Sequence, residues 1–306
     1  MPGKTIIKIF RSDHVPGEVP VAIHLPDGYT PDVAPFPLLL LLHGGNGSEQ
    51  DLLRFTSLID DAIGTGVLPP LVVAVPGARR SLYMDYHDGS ERWESFILAD
   101  MLPMLRKQLN VSSARERTVV GGWSMGGLGS LRLAFKHPDV FGVVAAVEPA
   151  IEPALVWAEI GPHVTFWRPI DFMQTIFGSP IDEDYWAANN PATIAQRDPG
   201  RLDDLGIYFE VGDQDMLYLH EGVEFLHRLL FDAGVGHDYR LVHGAEHVGP
   251  SLAPRLADAL AFVGRQILRP DWIDKRVLDH RALMDQQKVA AGLVVEPIDP
   301  RRIRGF

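Results

Sequence analysis

Residues 119–127 read Val-Val-Gly-Gly-Trp-Ser-Met-Gly-Gly. Gly122-x-Ser124-x-Gly126 is the pattern of a nucleophile elbow, in which a strand turns sharply into a helix and pushes the serine Oγ out of the sheet. A side chain at either glycine would collide with neighbouring backbone, so glycine is used there. The flanks supply both arms of the turn. Residues 118–120 read as a buried strand, and residues 128–136 as a helix start with apolar positions at Leu128, Leu131 and Phe135. The bland alternative is a glycine-rich turn carrying an ordinary serine. A serine hydroxyl is a poor nucleophile at neutral pH. Chemistry at Ser124 therefore requires a base within hydrogen-bond reach and an acid that orients the base.

Composition limits what can accompany that serine. The 306 residues include no cysteine, which excludes a disulfide framework, a thiolate nucleophile and a cysteine-ligated zinc site. With 46% hydrophobic and 22% charged residues, the chain is globular in composition and has ample apolar side chains for a large core. The formal net charge is −12 and no Lys/Arg block stands out before the last six residues, so nucleic acid is not an expected partner. The longest apolar run, residues 38–42, suits a buried strand and is far too short to span a membrane. The first ten residues carry no apolar leader with a small-residue cleavage site. The expectation is a cytoplasmic protein without a membrane partner.

The elements that must position Ser124 alternate along the chain. Residues 5–11 and 19–25 read as an antiparallel opening pair, followed by turn residues Asp27, Gly28 and Pro31. Residues 36–42 form a buried strand ending in His43-Gly44-Gly45-Asn46-Gly47, and Ser48 reads as the N-cap of a helix over 49–63. A strand at 71–75, a long loop at 76–90 and a helix over 91–109 kinked at Pro103 precede the elbow. After it come strands at 140–147, 207–211 and 239–242, with helices at 218–233 and 251–267. Residues 148–199, with three tryptophans and seven prolines, break the rhythm. They read as an insertion over the active site, too short to hold a core of their own. Eight strands, mostly parallel, with helices on both faces make an α/β domain over residues 1–268, and leave 269–306 as a C-terminal tail.

Several further blocks recur with the elbow. They are Leu42-His43-Gly44-Gly45 after a strand, Leu68-Pro69-Pro70 before the next, and Trp93-Glu94-Ser95-Phe96 entering the helix that contains Leu102-Pro103. His137-Pro138-Asp139-Val140-Phe141-Gly142 follows, then Phe177-Gly178-Ser179-Pro180 with Tyr185-Trp186 and Asn190-Pro191. In this order and spacing the chain resembles the α/β-hydrolase fold over residues 21–267. Within that fold it is similar to the putative-esterase family, which includes S-formylglutathione hydrolase (esterase D), feruloyl esterases, enterobactin-type trilactone esterases and mycolyltransferases.

The resemblance implies the chain order serine, acid, histidine. The loop after strand 207–211 reads Gly212-Asp213-Gln214-Asp215. Asp213 and Asp215 both qualify by position. The family's acid commonly falls three residues after this glycine, which implies Asp215, and Asp213 suits a turn-capping role. Glu148 is a third candidate, because some α/β-hydrolases carry their acid after the preceding strand. The family more often has a small pair there, so Glu148-Pro149 departs from its pattern, and Glu148 is assigned to the pocket lining. For the base, His243 ends the last strand, whereas His247 sits in Gly244-Ala245-Glu246-His247, matching the family's Gly-x-x-His; this implies His247. The i, i+4 spacing of the two histidines would suit a metal only on a helix, which Gly244 disfavours. No metal and no cofactor is expected. The oxyanion hole needs two backbone N–H groups, and by analogy with the family these are those of Met125 and Gly45, with Gly44 the alternative.

The mechanism implied is that of a serine carboxylesterase, with an acyl-enzyme on Ser124 and a small-molecule ester as partner. An acyltransferase using the same three residues, or a non-catalytic binding protein on the same scaffold, are the alternatives. Tyr83, Tyr86, Trp93, Trp157 and Trp186 lie in loops or in the insertion and, with Glu148, are expected to border a pocket for apolar or aryl groups. Each alone is equally readable as a packing residue. In the tail, Asp271 is placed as the cap of a helix carrying Trp272, Ile273, Val277 and Met284, followed by Leu293-Val294-Val295, Ile298 and Arg301-Arg302-Ile303-Arg304. An apolar arm beyond a finished domain is expected either to join a second subunit as a homo-oligomer or to pack back on its own domain.

Overall fold

Five consecutive leucines make up strand β3 (Leu38–Leu42), and all five are buried. Successive side chains on a strand point to opposite faces, so such a run requires cover on both sides. Leu38, Leu40 and Leu42 join one apolar cluster, and Leu39 and Leu41 another. The same alternation governs the neighbouring parallel strands, and the sheet is the layer between two cores.

The computed structural model describes residues 2–269, 273–295 and 297. The remaining strands are β1 (Lys4–Arg11), β2 (Glu18–Leu25), β4 (Val72–Pro76), β5 (Thr118–Trp123), β6 (Val143–Val147), β7 (Gly206–Gly212) and β8 (Asp238–Val242). The sheet order is β1-β2-β4-β3-β5-β6-β7-β8. β1 pairs antiparallel with β2 and β2 antiparallel with β4; every other pairing is parallel. The expected eight-stranded, mostly parallel sheet with an antiparallel opening is therefore present.

Helices α1 (Leu52–Gly64) and α9 (Leu252–Ile267) cover one face, where Leu52, Phe55, Ile59, Leu256, Ala259 and Phe262 meet Leu39, Leu41, Val73, Val119 and Ala145. The opposite face carries α2 (Trp93–Ser95), α3 (Leu102–Gln108), α4 (Met125–Lys136) and α8 (Leu219–Asp232). There Phe96, Leu131, Phe135 and Leu226 meet Leu40, Val120, Val144 and Phe209.

Three local differences from the sequence expectation have physical causes. The single helix expected over 91–109 is wound in three pieces, with a π-type segment at Phe96–Met101 between α2 and α3. Pro103 has no N–H to donate and sits in the first turn of α3, where none is needed. The wider winding lies just before it. Next, β3 begins at Leu38 because Phe36 is spent on a bridge to Val111. Last, α5 (Ile170–Phe177), α6 (Glu183–Asn189) and α7 (Pro191–Arg197) lie within residues 148–199. Trp186, Ala187, Ala192 and Ala195 belong to the main core, so the second half of that segment packs into the domain. Buried Arg132 of α4 fastens it, donating from Nε to the Asn189 carbonyl at 2.6 Å and from Nη1 to that of Leu82 at 2.5 Å.

The chain divides into two units, residues 1–267 and 268–306. In the second, α10 (Lys275–Ala290) is capped by the Asp274 side chain, which accepts from the Arg276 N–H at 2.8 Å. The cap is thus three residues later than expected. Asp271, Trp272, Ile298 and Arg301 to Arg304 lie outside the described residues. Among the described residues no helix is long and apolar enough to cross a membrane.

Candidate active site

Ser124 sits between β5 and α4 with φ 56° and ψ −119°, a strained conformation for a residue with a side chain. The turn that imposes it leaves no room on either side. A Cβ at Gly122 would come within 2.4 Å of the Leu42 carbonyl oxygen, and one at Gly126 within 2.0 Å of the same atom. The elbow is held by the Ser124 N–H donating to Val147 O at 2.9 Å.

His247 and Asp215 reach Ser124 from the loops after β8 and β7. His247 Nε2 is 3.1 Å from Ser124 Oγ, and its Nδ1 is 2.8 Å from Asp215 Oδ2. With Nδ1–H donating to the carboxylate, Nε2 is free to accept the serine proton. Asp215 is buried, and its other oxygen accepts from the Leu217 N–H at 2.8 Å. Burial disfavours the imidazolium of His247. The hydrogen bond to Asp215 and the nearby charge of Glu148 outweigh that, so its pKa lies above the ordinary histidine value.

The rival pair is also accounted for. His243, 96% exposed in its side chain, bonds through Nδ1 to Asp213 Oδ2 at 2.8 Å, and Asp213 Oδ1 accepts from Gly244 N–H at 2.7 Å. This is a surface clasp between the acid and base loops, away from Ser124.

The loop after β3 is pinned from three directions. His43 is fully buried; its Nε2 accepts from the Ala78 N–H at 3.1 Å, which leaves Nδ1–H to donate to Gly44 O at 2.8 Å. Burial lowers its pKa and keeps it neutral. The Tyr83 hydroxyl donates to His43 O at 3.0 Å. Gly45 consequently lies beside the first residue of α4, where a side chain on it would be 4.0 Å from the Met125 Cβ.

The "Putative esterase" family model matches residues 12–261. The chain belongs to the putative-esterase family. An esterase of Mycobacterium tuberculosis is 29% identical over 182 residues, which is 56% of this chain and 38% of that one. An acetyl esterase of Caldicellulosiruptor saccharolyticus is 29% identical over 113 residues, 37% of this chain and 41% of that one. The chain thus spans well under half the length of these relatives. Among solved structures, a ferulic acid esterase is 21% identical with a TM-score of 0.72, covering 87% of this chain and 99% of that chain. An S-formylglutathione hydrolase from Agrobacterium tumefaciens is 17% identical with a TM-score of 0.68, covering 87% and 96%. These likenesses establish the α/β-hydrolase fold.

Against that fold, three of the aromatic residues expected at the pocket are core residues instead. Tyr83, Trp93 and Trp186 are 0%, 1% and 2% exposed. Tyr83 holds the His43 loop, the Trp93 indole donates to Glu91 at 2.6 Å, and Trp186 packs edge-on against half-buried Trp157 at 6.0 Å. A large ring in a loop or insertion gains more by joining a core than by facing water, and loop position alone does not reveal which. Tyr86 is half-buried and packs against the main core. Glu148 does not line an open pocket: it is buried, with Oε2 3.3 Å from His247 Nδ1.

Two further residues hold the site together and carry no motif. Glu246 accepts from the N–H groups of Met216 at 2.6 Å and His247 at 2.9 Å, tying the acid loop to the base loop. Arg255 of α9 donates to the Glu246 carbonyl at 2.9 Å and pairs with Glu148 and Glu210. Glu148, Asp215 and His247 would also satisfy the donor types of a cation site, but the imidazole nitrogen such an ion would use is the one already bonded to Asp215.

Proposed function

We propose that the chain is a serine carboxylesterase. Ser124 attacks the ester carbonyl while His247 Nε2 takes the hydroxyl proton. Asp215 fixes the imidazole tautomer and stabilises its charged form. The N–H groups of Met125 and Gly45 bind the oxyanion. The alcohol leaves with the proton from His247, and water activated by the same imidazole releases the acid. The observation that carries this reading is the continuous Ser124–His247–Asp215 chain, with steps of 3.1 and 2.8 Å, at the strained tip of the elbow.

An apolar or aryl ester is the substrate class that the surroundings favour. Met216 and Val248, which directly follow the acid and the base, are exposed apolar residues, and exposed Phe166 meets the Tyr218 ring at 6.2 Å. Membership of the esterase family supports ester cleavage.

The test is hydrolysis of para-nitrophenyl esters at neutral to mildly alkaline pH, together with a fluorophosphonate probe. Wild type should turn over and carry one adduct on Ser124; Ser124→Ala should do neither. Turnover that survives Ser124→Ala refutes the reading. Product analysis with added alcohols separates hydrolysis from transfer: free acid should dominate.

A further inference from the structure

Two carboxylates converge on one imidazole nitrogen. Asp215 Oδ2 is 2.8 Å from His247 Nδ1 and Glu148 Oε2 is 3.3 Å from it. They arrive from adjacent parallel strands, Glu148 from the tip of β6 and Asp215 from the loop after β7. The backbone at Glu148 is bent to make this so. Its φ is 49°, in the left-handed region that side chains disfavour, and such strain persists only where its surroundings enforce it. The Glu148 N–H donates to Glu210 O at 2.8 Å and the Ala150 N–H to Ser124 O at 3.2 Å, so the bend is tied to the elbow. Gly127 makes room, because a Cβ there would approach Pro149 Cα to 2.9 Å.

A carboxylate 1% exposed is costly unless it is paired. Glu148 is paired with Arg255, itself 3% exposed, which also lies 3.4 Å from Glu210. The groups facing Glu148 are therefore His247 and Asp215 from the catalytic loops, Arg255 from α9 and Glu210 from β7. We propose that Glu148 is a second positioning carboxylate for His247, sharing its Nδ1–H with Asp215 and able to hold the imidazole in place when Asp215 is removed. The proposal rests on the triad reading above and extends it.

The charge count gives the proposal a signature. Three carboxylates face one guanidinium and one imidazole. Burial pushes Glu148 up to about 8, against the pull of His247 and Arg255, and Glu210 up to about 7. Glu148 therefore gains anionic character as pH rises through and above neutrality.

The experiment compares kcat/KM for para-nitrophenyl acetate across pH 6–9.5 in wild type, Ser124→Ala, Asp215→Ala, Glu148→Gln and the Asp215→Ala/Glu148→Gln double variant. Loss of the orienting acid in a serine triad costs roughly 10⁴-fold. With Glu148 in place, Asp215→Ala should stay on the order of 100-fold above the double variant, and its activity should climb as pH rises through the Glu148 range. The double variant should lack that climb. Equal activity of Asp215→Ala and the double variant at every pH overturns the proposal and leaves the triad intact. Full activity in Ser124→Ala overturns both. If Asp215→Ala does not fold, Asp215→Asn with and without Glu148→Gln carries the same comparison.

Discussion

Tyr83→Phe removes one hydroxyl and little else. The ring stays buried and edge-on to the His43 imidazole, 5.5 Å between centroids. What is lost is the 3.0 Å donation to His43 O, which helps fix the turn into Gly44 and Gly45. A buried acceptor deprived of its partner costs about 1–3 kcal/mol. If about 1.4 kcal/mol of that appears as misplacement of the Gly45 N–H, kcat falls about tenfold. The proposed oxyanion hole would act on charge that develops in the transition state, so KM should barely move. The assay is steady-state kinetics on a para-nitrophenyl ester with a thermal melt of each variant. Tyr185→Phe is the control: its hydroxyl donates to Asp85 O at 2.6 Å, outside the His43 loop, and its loss should lower the melting temperature without touching kcat. An unchanged kcat in Tyr83→Phe despite a lowered melting temperature would refute the reasoning, as would an effect confined to KM.

Further outcomes follow from individual contacts. Asp213→Asn and His243→Ala break only the surface clasp and should leave kcat/KM within about twofold of wild type; a large loss in either would move the base or acid assignment. The raised pKa of His247 places the acidic limb of kcat/KM above the ordinary histidine value of 6.5, and a limb below it would contradict the Asp215 and Glu148 contacts. Burial pushes Glu94 up, but hydrogen bonds and charge from His137 and Lys136, each at 2.8 Å, win and hold its carboxyl down at about 2 against 4.5 when free. Its folded value is thus the lower one. The stabilisation, about 3 kcal/mol, is fully present above the unfolded value and is lost as pH falls from the unfolded value toward the folded one. Glu94→Gln should remove that part of the acid dependence in denaturant titrations. Residues 269–306 are proposed as an oligomerisation arm, and truncation after Leu268 should lower the number of chains per particle seen by light scattering; an unchanged number sinks the idea.

Much of the fold was legible because its signals are local. The leucine run of β3, the glycines flanking Ser124 and the alternation of strand and helix each constrain a short segment whose geometry follows from its own residues. The helix before Pro103 was legible as helix, but its winding was not, because a π turn is a short local widening of an α-helix that leaves little mark on the apolar pattern. The aromatic residues misled for a related reason. Trp93 starts the helix expected over 91–109 and Trp186 lies in the insertion, and which way a ring turns is decided by packing partners far away in sequence. Asp215 and His247 came from loop position and resemblance, and Asp213 and His243 could not be dismissed without the contact that pairs them with each other.

Glu148 was the residue the sequence could least interpret, and the sheet order explains why. Ser124 follows β5, Asp215 follows β7 and His247 follows β8, while β6 lies between β5 and β7. Whatever follows β6 must therefore emerge between Ser124 and Asp215. A small residue there would leave Asp215 alone with the imidazole. A glutamate bent by a positive φ reaches Nδ1 and brings a buried charge that needs a counterion, which Arg255 supplies from α9. Arg255 in turn holds Glu210 within the sheet and the Glu246 carbonyl in the base loop. His247 is thus wired through one guanidinium to β7, next to the edge strand β8, and to α9. Removing that guanidinium would strand two buried carboxylates, a change that costs about 3–5 kcal/mol for a broken buried pair. The orientation of His247 and the stability of the fold are, in this chain, consequences of the same cation.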